Sequence, residues 1–130
     1  MAGIESFRDL LVWQKAMDLA VQTCRMAGQL PRAEQGVLGF QLRKSAISIP
    51  SNIAEGKSRH STASYIQHLW IAHASASELE TQIEIASRLG VLASEQADLM
   101  IRDSQEIGRM LNGLVRSLRR SSGRDQPSQS

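Results

Sequence analysis

Hydrophobic and polar positions alternate by threes and fours along almost the whole chain, the period of a helix that packs one side against its neighbours. The spacing is strictest in the third of four such stretches. There Tyr65, Leu69, Ala72, Ala76, Leu79, Ile83, Ala86 and Gly90 follow in unbroken four-three order. This predicts a helix over 62–89, roughly 40 Å long at ~1.5 Å per residue. A first helix is predicted over 10–28, with Leu10, Trp13, Met17, Ala20, Cys24 and Ala27 as its buried seam. A second, over 33–56, buries Leu38, Leu42, Ser45, Ala46, Ile49 and Ile53. A fourth, over 94–120, buries Met100, Ser104, Ile107, Leu111, Leu114 and Leu118, widened by Ile101 and Val115. Residues 1–9 read as a lead-in from which Phe7 and Leu10 can pack. Residues 121–130 hold no apolar side chain to bury and read as a disordered tail.

The breaks between these stretches have physical causes. Gly28 and Leu30-Pro31 stop the first helix, because the residue before proline avoids helical geometry. Ser61 is placed to cap the third helix, and Gly90 to end it. Gly36 and Gly39 weaken the early second helix, and close packing is the expected reason for them. Pro50 is the only proline inside an apolar helical run. It removes one backbone bond and crowds the preceding turn, so a kink is expected there, with Gly56 at the C-cap, where positive φ is cheap. Four helices with three short connections give an all-α, antiparallel up-down-up-down bundle.

Composition narrows the function. The 130 residues suffice for one core, and with 42% hydrophobic but 4% aromatic content, aliphatic side chains must fill it. A formal charge of +2 permits an anionic partner without demanding one. The lone Cys24 cannot form an internal disulfide and reads as a buried thiol. No apolar run approaches the ~20 residues of a membrane span, and the first residues lack the pattern of a signal peptide. A cytoplasmic protein is expected.

Several stretches carry a family resemblance. Trp13-Gln14-Lys15-Ala16, Leu30-Pro31 with Glu34, the run from Gln41 to Gly56, and Ser75 with Glu78-Leu79-Glu80 occur in that order. Together, over about residues 7–118, they resemble the four-helix-bundle proteins encoded in intervening sequences of bacterial 23S ribosomal RNA genes. Those are related to the accessory variability protein of diversity-generating retroelements. The resemblance implies the same bundle and a ring-shaped homopentamer. It also implies nucleic-acid binding, RNA or DNA, and a protein partner such as a reverse transcriptase. His73-Ala74 stands where many members have Arg-Gly, and Cys24 where an aromatic residue is common. The first change removes a permanent positive charge from the third helix.

Three groups of residues could carry function. Ser48, Asn52 and Glu55 share one side of the second helix by their spacing, and against Ser75 and Glu78 they would form a polar contact between helices. Fixing helix register is the favoured role for this cluster; a ligand pocket at the kink is the alternative. Arg102, Arg109 and Arg116 are spaced by sevens along the fourth helix, and Arg119 and Arg120 extend the charge. Arg43, Lys44, Lys57, Arg59 and His60 form a second basic group. Such rows can track phosphates, although Glu106 is spaced to pair with both Arg102 and Arg109. Aromatic side chains for base stacking are nearly absent outside the presumed core, so base-stacking readout is not expected. Ile66, Trp70 and Ile85 fall off the seam of the third helix and could form a subunit interface.

Catalysis and metal binding find little support. No glycine-rich phosphate loop, nucleophile elbow or His-Glu-x-x-His occurs, and no Glu is followed by His at the third position. His68 and His73 point about 140° apart on a helix. The expectation is therefore a non-catalytic oligomeric protein that needs no cofactor and binds structured RNA or other nucleic acid through a basic surface. A scaffold subunit without nucleic-acid binding is the alternative. A small enzyme using Asn52, Glu55 and Glu78 is a distant third.

Overall fold

A computed structural model of the protein describes residues 6–125. Among these there are four long helices and no strand. Of the expected lead-in, residues 6–9 are described and are folded. Ser6 caps a 3-10 turn over Phe7–Asp9, accepting from the Arg8 amide at 3.2 Å, while its own amide donates to the Asp9 carboxylate at 3.3 Å. Helix α1 follows over Leu11–Gly28. The helical turn α2, Arg32–Glu34, leads through a π-helical stretch, Gln35–Gly39, into α3, Phe40–Lys57. Helix α4 spans Thr62–Arg88 and α5 spans Ser94–Asp125. The fourth long helix thus continues five residues past its expected end at 120, and the remainder of the expected tail lies outside the described residues.

Each long helix packs on two others: α1 on α3 and α5, and α4 on α3 and α5. Going round the bundle the order is α1, α3, α4, α5, so the α1/α3 face lies opposite the α4/α5 face. The α4 seam is buried along its whole length, from Tyr65 through Ala86, and Gly90 adopts φ 76° just beyond it. Partial desolvation by burial pushes the Tyr65 hydroxyl's pKa up from the ordinary 10.0.

The first helix is turned from its expected orientation. Val12, Ala16, Leu19, Thr23 and Met26 join Ala20 and Ala27 in the core, whereas Trp13 and Cys24 are half-buried and Met17 is exposed. Leu11–Gly28 carries two apolar stripes, and the spacing alone did not rank them. Thr23 enters the core because its hydroxyl donates to the Leu19 carbonyl at 2.7 Å, leaving no unmet polar group.

Gly56 is not a C-cap. It lies within α3, buried, and the cap falls on Ser58. A Cβ there would stand 2.9 Å from His68 Cβ and 3.0 Å from Tyr65 Cδ1, so glycine permits the close approach of α3 to α4. A Cβ on Gly39 would stand 3.4 Å from the Glu34 carbonyl and Arg43 Nη1, an ordinary contact, and one on Gly36 would meet nothing within 4 Å. The close packing expected of these two glycines is found instead at Gly56. Pro50 sits buried inside an α3 that continues through it.

Candidate nucleic-acid interface

The polar contact between α3 and α4 is smaller than its sequence suggests. Ser48 Oγ meets Ser75 Oγ at 2.8 Å, and Asn52 Nδ2 donates to the Ser48 carbonyl at 2.9 Å and to Ser48 Oγ at 3.1 Å. Glu55 is elsewhere engaged: it pairs with Arg59 one turn on, and His68 Nε2 stands 3.9 Å from its carboxylate. Glu78 is exposed, with no ion pair among the described residues. The five expected residues therefore do not converge on one pocket. The α3–α4 contact is a two-serine bridge steadied by Asn52.

The arginine row is differently placed. Arg102, Arg109, Arg116, Arg119 and Arg120 are all exposed on α5. The pairing expected from Glu106 does not form, because Glu106 turns instead to Lys15 of α1 at 3.2 Å. Among the described residues none of these five arginines has a carboxylate within ion-pair distance. Bringing phosphate to them would therefore break no ion pair among the described residues.

The second basic group is not added to the first. Arg43 is half-buried at the α1–α3 connection, its Nη2 3.5 Å from Gln35 Oε1, while Gln35 Nε2 donates to the Leu30 carbonyl at 2.8 Å. Arg59 is held by Glu55, and Lys44, Lys57 and His60 remain without ion pairs among the described residues. These residues belong to α3 and its exit, and α3 is not a neighbour of α5. Within one chain the two groups occupy separate faces.

Two grooves were not anticipated. One, about 590 Å³, runs between α1 and α3 and is apolar, with Trp13, Met17, Val21, Ile47 and Pro50 in its walls. Met17, Val21 and Ile47 are exposed there, and Phe7 packs edge-on against Trp13 at 5.2 Å. The signal for it was the second stripe of α1. The other, about 270 Å³, lies on the opposite face between α4 and α5, with His73, Ser77, Glu80, Gln105, Arg109 and Asn112 among its lining. Of the expected interface residues, Ile66 packs against the core, while Trp70 and Ile85 are exposed. Trp70 faces α5, where the Arg119 guanidinium carbon stands 5.9 Å from its ring centre.

The 23S rRNA-intervening sequence protein family matches residues 8–113. The chain belongs to this family. A crystal structure similar to this 23S rRNA-intervening sequence protein is that of a protein of unknown function from the S23 ribosomal protein family of Bacteroides thetaiotaomicron. The two share 29% sequence identity with a TM-score of 0.77, over 81% of this chain and 98% of that one. Among curated proteins none matches the sequence. No described helix of this family member is long and apolar enough to cross a membrane.

Proposed function

We propose that this chain is a non-catalytic, self-assembling protein that binds nucleic acid, with structured RNA as the favoured partner. The observation that carries this reading is the α5 arginine row, exposed and with no ion pair among the described residues. The antiparallel bundle and the ring assembly belong to the same proposal. The apolar α1/α3 groove is the surface that needs covering, and it lies opposite the arginines, so assembly through it leaves them accessible. Several modestly basic faces in one particle would then act together, raising a weak phosphate affinity without new contacts.

The test is binding of a structured RNA by fluorescence anisotropy across a salt series. Tight binding at low salt that collapses as salt rises is expected. Replacing Arg102, Arg109 and Arg116 together by Gln should lower the slope of log affinity against log salt by about 2–3, at ~0.7–0.9 per phosphate contact. Helicity should be unchanged. A triple variant that binds like the parent would remove the arginine row from consideration. The apolar groove by itself favours a second reading, a scaffold subunit. That reading prevails if the protein assembles but takes up no nucleic acid at any salt concentration.

A further inference from the structure

The α4/α5 groove has a pattern that a phosphate-tracking surface does not require. On α5, Gln105, Arg109, Asn112, Arg116 and Arg119 follow by four, three, four and three, so they form one stripe. On α4, Trp70, His73, Ser77 and Glu80 follow by three, four and three. The helices pack on each other; His73, Ser77 and Glu80 face Gln105, Arg109 and Asn112 across the groove, and Trp70, Arg116 and Arg119 continue the two stripes beyond its lining. Trp70 and Arg119 meet in the cation–π contact beside it, and Trp70 stands edge-on to His73 at 5.8 Å. Gly108 gives the groove a low floor, for a Cβ there would meet only His73, at 3.6 Å.

Its chemistry is that of a base reader. Trp70 keeps 39% of its surface exposed, with the Arg119 guanidinium over its ring. The side chains of His73, Gln105, Arg109 and Asn112 make no hydrogen bond or ion pair with described residues. Amides and imidazole present donors and acceptors together, as a base edge does. Charge also varies along the groove: arginines flank the Trp70 end, and Glu80 marks the other. A phosphate is therefore favoured near Arg116 and Arg119 and disfavoured beside Glu80.

We propose that this groove and the Trp70 ring beside it together seat one unpaired nucleotide of a nucleic-acid strand. The base stacks on Trp70, its edge meets His73 and Asn112, and its phosphate draws Arg119 off the ring. This rests on the nucleic-acid reading above and adds to it a preference for unpaired over duplex substrate. The sequence alone argued against base stacking; the position of Trp70 beside Arg119 reverses that argument.

The experiment compares three labelled probes by anisotropy at one low salt concentration: a single-stranded RNA, the same strand with abasic positions, and the matching duplex. The full chain is used as parent, Trp70→Leu and Trp70→Phe, with light scattering to confirm that all three assemble alike. Leu keeps the site apolar, and Phe restores an aromatic face. Trp70→Leu should weaken single-strand binding about tenfold, within the range expected for base–aromatic stacking. Duplex and abasic affinities and the salt slope should be unchanged, and Trp70→Phe should recover most of the loss. In a Trp13→Phe background, the remaining tryptophan fluorescence should be quenched by the single strand and not by the abasic strand. If Trp70→Leu binds all three probes as the parent does, the seat is disproved while the arginine reading stands. If the parent binds none of the probes, both fall.

Discussion

Gly56 shows how much one residue decides here. Its missing side chain lets α3 approach α4 to within contact of Tyr65 and His68, and a Cβ would also stand 3.2 Å from the Tyr65 carbonyl. The nearest atoms are a Cβ and a ring carbon close to the backbone, which cannot swing away as a long side chain would. Gly56→Ala should therefore destabilise the fold by about 1–3 kcal/mol through overpacking, despite the better helix propensity of alanine. A urea unfolding curve at equal or higher midpoint would show that the helices can part without cost. At the same scale, Glu106 demonstrates why spacing is an incomplete guide to charge pairing. Its position on α5 suits Arg102 and Arg109, but Lys15 on the neighbouring helix offers a partner 3.2 Å away. The i,i+3 and i,i+4 rules describe an isolated helix and do not include what packs beside it.

Elements meet through few polar contacts, each with a definable role. Ser104 is buried on α5 and donates to the Ala76 carbonyl of α4 at 2.8 Å. Ala76 lies inside the α4 helix, where its carbonyl keeps a backbone partner, so removing the hydroxyl leaves no orphaned acceptor. Ser104→Ala should thus cost only about 1 kcal/mol, the net worth of one hydrogen bond, read as a small fall in the urea midpoint with unchanged slope. A loss of several kcal/mol would mean that this bond fixes the register of α5. Helix α1 illustrates the opposite difficulty. Its apolar residues cover more than one face, and either stripe satisfies the same three-four rule. Only the positions of α3 and α5 choose Val12, Ala16 and Leu19 for the core and leave Met17 and Val21 outside.

At the scale of the molecule the bundle is two-faced. An apolar groove between α1 and α3 lies opposite a polar, arginine-flanked groove between α4 and α5. If the first is the subunit contact, charges placed in it should act without touching the core. Val21→Glu with Ile47→Glu is expected to reduce the assembly to monomers in light scattering while the helical circular dichroism is retained. Assembly that survives this double change would move the contact elsewhere on the surface, with Trp70 and Ile85 next to be tested.

The π-helical stretch Gln35–Gly39 inside the expected second helix was not legible in the sequence. The number of long helices and most of their limits are local properties and were legible there, from a three-four period, Pro31 and Ser61 at the breaks, and Gly90 after the long seam. The α5 arginine row was legible for the same reason, since sevenfold spacing keeps side chains on one side of a helix wherever that helix packs. Which carboxylate pairs with which base, which stripe of α1 is core, and what stands beside Trp70 depend on groups distant in the chain. Those were settled only by the order of the helices around the bundle. Burial and pairing are decided between elements, and a period measured along one element carries no information about its neighbours.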